Sequence, residues 1–530
     1  MNDWLGPTAD ALPPGKANTK APPLPADLGV DMILALDDKM WAGGERPAAL
    51  ALLRQGLRRY PGEPRLMGRL ARTATSLADW RDGAIDIAAV IAAGRDALSA
   101  MWALCLADDP TLHRACAADH AAHMPVSAAP GYLHSLAQDK PLLRIGYLTA
   151  DFREHPMSQC TAELFERHDR RRVAITGYSL GKDDGSPLRR RIEAGFDCFV
   201  DLAGCADAEA AARIHADAID ILVELIGYTT FNGCGIMALR PAPIQVSLLG
   251  FPGTKATPFI DYLVGDPIVC GDGAAEHYTE RLALLPETYF PNDSRKAIAS
   301  PPPTRKQAGL PAQGFVFCCF NYPQKITPDM FDRWMRLLRG TRGALLWLLD
   351  AWPGVADNLR REAAARGADP ERLIFAPRLP LADHLARLSL ADLALDTLPC
   401  GAHTTASDAL WAGVPMITCL GKSFAGRVGA TLLNAIGLPE LIAPDLEAYE
   451  ALALRLAHEP DRLAGLRRRL AANRLTAPLF DCARYTRHLE AAYATMWAIH
   501  CNGCEPRSFG VLPRSDQGSG SGVAAPNFSS

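Results

Sequence analysis

Near residue 142 the spacing of apolar residues changes, and that change constrains what this chain can fold into more than any other feature. From about 28 to 130, apolar residues recur three and four apart in Ala- and Leu-rich stretches without strand-like alternation, which predicts amphipathic helices. From Leu142 they bunch into short unbroken runs: LLRIGYLTA (142–150), VAITGYSL (173–180), FDCFVDL (196–202), IDILVELIGYT (219–229), APIQVSLLGF (242–251) and IDYLVGDPIV (260–269). Helix-like segments such as AEAAARIHAD (208–217) lie between several of them. Strands that are apolar along their whole length have both faces covered, so the alternation predicts a parallel sheet with helices on each side.

The pattern then repeats. After the proline-rich connector ASPPPTRKQAGLPAQ (299–313) come GFVFCCFN (314–321), ALLWLLD (344–350), RLIFAPRL (372–379), ADLALDT (391–397) and VPMITCLG (414–421). Two consecutive Rossmann-like halves predict a ligand cleft between them, reached from the carboxyl ends of the strands. The organisation expected is a disordered 1–27, a helical domain 28–130, a first α/β domain 140–298, a linker 299–313, a second α/β domain 314–504 and a disordered tail 505–530. Within the helical part, AALALLRQGLRRYPGEPRL (48–66) sets Ala49, Leu52, Leu53, Leu57 and Tyr60 on one face and breaks at Pro61 and Pro64. A tetratricopeptide-type helix ends this way, although no clean 34-residue period runs through the segment, and a plain helical bundle remains the alternative.

Composition narrows the classes. Lys and Arg number 55 against 59 Asp and Glu, a net charge of −4, which argues against a nucleic-acid binder. No apolar run approaches the roughly 18 residues of a membrane span. The start, MNDWLGPTADALPPGK, has neither the basic nor the apolar region of a secretory signal. A cytoplasmic protein is expected, with its fourteen scattered cysteines reduced.

Four segments that follow strands carry candidate chemistry. In DTLPCGAHTTASDALWAG (396–413) a strand ends at Asp396, a loop of small residues follows, and a helix opens near His403, Thr404 and Thr405. Its first N–H groups and its dipole make an anion site, and Asp408, one turn in, can accept from a sugar hydroxyl. In CFNYPQKITPDMF (319–331), Lys325 stands before a helix start, where it can reach a phosphate. In ADFREHPMSQCT (150–161), His155 stands where the first half's crevice would lie. In LLGFPGTKATPFIDY (248–262), Phe-Pro-Gly-Thr makes a tight turn that brings backbone close to a ligand. Taken singly, each has an ordinary structural explanation. Together they draw on both halves, as a site built from loops of two domains does. His215, on the helix at 208–217, faces either crevice or sheet. The CNGC at 501–504 and the basic run 462–474 read as plain thiols and a solvated helix face.

From about 140 to 500 the chain resembles the O-linked N-acetylglucosamine transferase family, which also contains the plant SPINDLY proteins. RIGYLTADFREHP (144–156), ALRPAPIQVSLLGFPGT (238–254), CFNYPQKI (319–326), LDTLPCGAHTTASDALWAGVPMIT (395–418) and SFAGRVGATLLNAIGLPELIA (423–443) carry the resemblance, in order and spacing. It implies a GT-B fold preceded by a tetratricopeptide arm. It also implies an inverting, metal-independent transfer of N-acetylglucosamine from UDP-GlcNAc to protein Ser or Thr hydroxyls, with acceptor proteins bound through the arm. Carried over by position, Lys325 matches the lysine that neutralises the diphosphate. His403, Thr404 and Thr405 match the phosphate-binding helix start, and Asp408 matches the ribose contact. His384 and Arg387 match residues at the uracil face, with Asn321 among the donor-binding positions. His155 and His215 match two cleft histidines, and Gly253 and Thr254 lie where the sugar is held.

The chain departs from the family at three of these places. Ala212 stands where animal members have an Asp that was one candidate base. Leu381 replaces a lysine near the ribose, and Tyr322 replaces a glutamine near the phosphates. The last two leave another donor open, GDP-fucose or an unusual sugar, and a non-catalytic scaffold is the remaining alternative. For transfer, charge growing on the departing diphosphate would be met by Lys325 and the 403–405 helix start, and His155 would accept or relay the hydroxyl proton.

Overall fold

The computed structural model describes residues 25, 28–83, 86–94, 97–124, 131–134, 140–229, 233–271 and 273–513; the disorder expected at 1–24 and 514–530 lies outside them. Among the described residues six helices come first: α1 (Val30–Ala42), α2 (Arg46–Arg59), α3 (Pro64–Ser76), α4 (Ile87–Ala92), α5 (Ala100–Leu106) and α6 (Pro110–Ala122). Next are β1 (Leu143–Thr149), α7 (Pro156–Arg167), β2 (Val173–Ser179), α8 (Pro187–Ala194), β3 (Cys198–Asp201), α9 (Asp207–Ala216), β4 (Ile221–Glu224), α10 (Cys234–Ala238), β5 (Ile244–Ser247), β6 (Tyr262–Gly265), α11 (Pro267–Cys270) and β7 (Arg281–Leu284). The alternation then restarts with β8 (Val316–Cys319), α12 (Pro328–Gly340), β9 (Leu345–Leu349), α13 (Val355–Ala365), β10 (Leu373–Ala376), α14 (Leu381–Leu388), β11 (Leu393–Leu395), α15 (Thr404–Trp411), β12 (Met416–Cys419) and α16 (Phe424–Ala435). The chain closes with β13 (Ile442–Ala443), α17 (Leu446–His458), α18 (Pro460–Asn473), α19 (Cys482–Cys501) and β14 (Phe509–Gly510).

These elements form two compact units. One holds the described residues up to His120 together with Ala297–Leu433 and Leu438–Ala471. Its six-stranded sheet runs β10-β9-β8-β11-β12-β13, parallel at every pairing. β8 and β12 are buried at every residue, which explains their unbroken apolar sequences. Proline and cap residues start the helices as the sequence signals: Pro328 opens α12 behind Thr327, whose hydroxyl accepts the N–H of Met330 at 3.3 Å. The early helices pack each on the next from α1 to α5, the nearest-neighbour arrangement of a helical repeat. They also pack on this unit's α/β layers. Arg46, 2% exposed, stacks its guanidinium 3.6 Å from the Trp352 ring centroid and 4.5 Å from that of Trp41. Trp80 meets Phe331 edge-on at 5.4 Å, and the Asn358 amide donates to the Leu77 carbonyl at 2.9 Å.

The other unit holds the described residues between Ala121 and Lys296, Asn434–Gly437 and the described residues from Ala472 on. Its eight-stranded sheet runs β14-β7-β6-β5-β4-β1-β2-β3, again all parallel. Tyr147, Phe152, Phe165 and Phe196 interlock in its core. The long α19 closes this core: the Tyr493 hydroxyl lies 3.0 Å from that of Tyr147, and the Glu490 carboxylate lies 3.0 Å from His168 Nδ1. Here the structure differs from the expected boundaries. Residues 472–504 group with the first α/β domain instead of the second, and Phe509–Gly510 pairs as β14 beside β7 inside the stretch expected to be disordered. The pattern of α19 shows that it has an apolar face but not which sheet that face covers, and a two-residue strand is too short to leave a periodicity.

Candidate donor-binding site

The six-stranded sheet places its loops as Rossmann-type folds do, at the carboxyl ends of β8, β10 and β11. After β8 the chain passes Asn321 and Tyr322 into a short 3-10 turn at Pro323–Lys325. Lys325 is buried, and its Nζ donates to the Gly401 carbonyl at 2.6 Å. Gly401 belongs to the loop after β11, which leads through Ala402 into α15. Asp396, at the end of β11, organises that loop. Its carboxylate accepts the N–H of Thr397 at 2.7 Å, the N–H of Ala402 at 2.6 Å and the Thr418 hydroxyl at 2.7 Å. Burial raises its pKa, and these donors hold it down in part. The Tyr449 hydroxyl donates to the Asp396 carbonyl at 3.0 Å, which ties α17 to the same corner.

Asn321 joins the two loops. Its amide donates to the Thr397 hydroxyl at 2.9 Å, and its oxygen accepts from the Thr405 hydroxyl at 2.6 Å. His403 is the residue before α15, and its Nε2 is covered without a hydrogen-bond partner. Burial and the nearby Lys325 ammonium push its pKa well below the ordinary histidine value, so the ring is neutral. Thr404 begins the helix and Asp408 follows one turn on, buried. Thus the sequence-selected Lys325, Asn321, His403, Thr404, Thr405 and Asp408 gather around one loop, as expected of an anion site at a helix start.

Beside them lies a small recess lined in part by Phe320, Asn321, His384, Leu388 and Thr405. His384 meets Phe320 edge-on at 5.0 Å and accepts at Nδ1 from Arg387 Nε at 3.0 Å. Burial and the Arg387 charge lower its pKa to about 4, so His384 is also neutral. Arg387 lies over the Phe320 ring at 4.9 Å. A partly apolar recess with the fixed His384 ring in its wall suits a base, next to a cationic loop that suits phosphates. Tyr322 stacks on Trp352 at 6.1 Å under the guanidinium of Arg378.

In the other unit, His155 follows β1 and caps α7, its Nδ1 accepting the N–H of Met157 at 3.3 Å. It is 2% exposed, and burial lowers its pKa to about 4 against the pull of Asp151, 3.7 Å from Nδ1. A neutral imidazole whose Nδ1 accepts carries its proton on Nε2, and this Nε2 has no protein partner. In this form His155 offers a donor at Nε2, where the sequence led to the expectation that it accepts or relays the hydroxyl proton. The Thr254 hydroxyl donates to Glu280 at 2.6 Å, and the Lys255 N–H donates to the same carboxylate at 2.7 Å. Gly253 is buried on this turn, which holds Leu249, Gly250 and Ala256 at φ of 59°, 68° and 49°. Sequence reasoning missed Lys255, fully buried, whose ammonium meets Glu224 at the end of β4 and Ser247 at the end of β5. Burial brings its pKa down to about 7.

His215 is not at this end of the sheet. It sits in the last turn of α9, which ends just before β4 begins, so it lies by the amino ends of the strands. Its ring stacks on Tyr132 at 4.1 Å and lies 5.6 Å from His134. The structure thus does not bring His215 to the carboxyl ends where His155 stands.

Comparison with known proteins agrees with this geometry. The profile of glycosyl transferase family 41 matches residues 113–301 and 298–489. The chain is 39% identical over 400 residues to the probable UDP-N-acetylglucosamine-peptide N-acetylglucosaminyltransferase SEC of Arabidopsis thaliana, a match covering 74% of this chain and 40% of that protein. It is 29% identical to the UDP-N-acetylglucosamine-peptide N-acetylglucosaminyltransferase of Caenorhabditis elegans, covering 69% of this chain and 42% of that one. The chain thus spans about two fifths of the length of these curated relatives. Among solved structures, a mutant of Thermobaculum terrenum O-GlcNAc transferase superposes with a TM-score of 0.72 at 31% identity, covering 89% of this chain and 90% of that one. The two parallel sheets are accordingly those of the GT-B fold. Among the described residues no helix is long and apolar enough to cross a membrane.

Proposed function

The chain belongs to glycosyltransferase family 41, and from that premise we propose that it is an inverting protein O-glycosyltransferase that moves N-acetylglucosamine from UDP-GlcNAc to Ser or Thr hydroxyls of acceptor proteins. The observation that carries this reading is the buried Lys325 ammonium, 2.6 Å from the Gly401 carbonyl beside the α15 helix start. When the hydroxyl oxygen bonds to the sugar's anomeric carbon, the bond from that carbon to the diphosphate oxygen breaks, its electrons leave with UDP, and the hydroxyl proton passes to water or to an oxygen of the departing diphosphate. Lys325 and the first N–H groups of α15 are preorganised donors for that charge, the term expected to dominate in such a transfer. They supply it without a metal ion, so turnover is independent of divalent cations.

The recess lined by His384, which Arg387 holds in place from behind, takes the uracil, and Asp408 takes a ribose hydroxyl. His155 donates Nε2–H to an oxygen of the bound sugar or acceptor. Its pKa of about 4 makes it a poor general base at neutral pH. Gly253 and Thr254 shape the turn near the sugar through backbone, because the Thr254 hydroxyl is engaged by Glu280. His215 has no part in the step. The helical arm presents the acceptor along its repeats, in a cytoplasmic protein.

The test is to incubate the full chain with UDP-GlcNAc, GDP-fucose or a CMP-sugar and a host protein extract in EDTA, and to follow acceptor mass. A gain of one N-acetylhexosamine with UDP-GlcNAc alone supports the reading. Transfer only from another nucleotide sugar, or a requirement for Mg²⁺, contradicts it.

A further inference from the structure

The turn between α5 and α6 carries two adjacent aspartates that do different work. Asp109 accepts the N–H of Thr111 at 2.8 Å and of Leu112 at 3.2 Å, and so caps its own helix, α6. Asp108 instead reaches across to the segment before α16. It accepts the N–H of Lys422 at 2.8 Å with one oxygen and that of Ser423 at 2.9 Å with the other. Ser423 in turn accepts the N–H of Gly426 at 3.3 Å. Residue 426 must be small here: a Cβ would fall 2.9 Å from Asp108 Oδ1 and 3.0 Å from the Pro399 carbonyl.

From this first turn of α16 a short chain of bonds leads to the donor loop. The Ala425 carbonyl accepts the N–H of Gly401 at 2.9 Å, and the Gly401 carbonyl holds Lys325 Nζ at 2.6 Å. Two further contacts bring arm helices to the same loops. α3 packs on the 3-10 turn that carries Lys325, and α5 brings the buried Cys105 thiol to that of Cys400.

We infer that Asp108 is a positioning residue for the nucleoside diphosphate: through Ser423, Ala425 and Gly401, the helical arm sets the place of the Lys325 ammonium. This rests on the proposed UDP-binding role of that loop. The arm then serves the donor as well as the acceptor. Asp108 touches no substrate in this account, and its effect is read in donor affinity and in KM for the donor, with KM for the acceptor unmoved.

The experiment is calorimetric titration of UDP into the full chain as wild type, Asp108→Ala, Asp108→Asn and Asp109→Ala, each first shown to be folded by its unfolding midpoint. Loss of two hydrogen bonds to a charged acceptor is expected to weaken UDP by about tenfold in Asp108→Ala. Asp108→Asn, which keeps an acceptor oxygen, falls between. Asp109→Ala loses a cap of the same kind one residue away, so it lowers the midpoint and keeps wild-type UDP affinity. Equal UDP binding by all four proteins, or equal losses in Asp108→Ala and Asp109→Ala, overturns the inference while leaving the donor site in place. Absence of UDP binding by the wild type overturns the donor reading and the inference with it.

Discussion

Lys325 Nζ and the carbonyl oxygen of Gly401 lie 2.6 Å apart, so the loop that leads to the α15 helix start holds its own counter-group to the cation. In the proposed function a diphosphate arriving there would give the ammonium a charged partner, a stronger hydrogen bond than the carbonyl offers.

Asp396 is the residue on which that loop depends most. It accepts three hydrogen bonds while buried. In Asp396→Asn an NH₂ group faces at least one of those donors. The variant is expected to lose about 2–3 kcal/mol of stability, as for a buried charged hydrogen-bond group, and to bind UDP measurably more weakly. Denaturant unfolding and calorimetry check the two effects. Unchanged loop stability with unchanged UDP affinity would contradict this role.

His155 separates a donor from a base. His155→Gln keeps an N–H near the position of Nε2 and is expected to retain a substantial part of kcat, whereas His155→Phe loses it. If His155 took the proton, both variants would fall alike. The neutral ring also predicts that the pH profile of kcat has no inflection near 6.5 from this group.

The same two histidines link stability to pH. His155 and His384 have pKa values lowered by burial to about 4 from an ordinary 6.5. Between those values the unfolded chain binds protons that the folded chain does not, so stability falls as pH drops from about 6.5 towards 4. The thermal midpoint at pH 5 is therefore expected below that at pH 7, with a smaller drop in His155→Gln. A midpoint that does not move between these pH values would contradict the burial of both rings.

Lys255 and Glu224 form a buried pair beneath the 249–256 turn. Removing one partner strands the other charge. Lys255→Met is expected to cost about 3–5 kcal/mol, and the double variant Lys255→Met with Glu224→Gln to recover much of it. Equilibrium unfolding of the single and double variants measures the coupling. Additive losses would show that the two side chains act separately.

Much of this architecture is legible in the sequence, because apolar runs bounded by helices specify parallel strands and parallel strands put loops such as 321–325 and 396–405 at one edge. The position of His215 was legible too. A helix that ends just before a strand begins must end at that strand's amino edge, and β4 starts at Ile221. Other features were not. The Thr254 hydroxyl is taken by Glu280, 26 residues away, and no local pattern announces that bond. Tyr493 closes on Tyr147 across 346 residues, so α19 shows its apolar face in sequence while its destination is set by packing. Asp108 looks in sequence like half of an ordinary helix cap, and only the fold shows that it serves a different helix from Asp109.

The account turns on Lys325, and one titration tests it most directly: UDP into the wild type and into Lys325→Met, both folded, in EDTA. The expected result is saturable binding by the wild type and affinity lower by at least about tenfold in the variant, the scale of one lost charged hydrogen bond. Equal UDP affinity in the two proteins would contradict the claim that this ammonium receives the diphosphate.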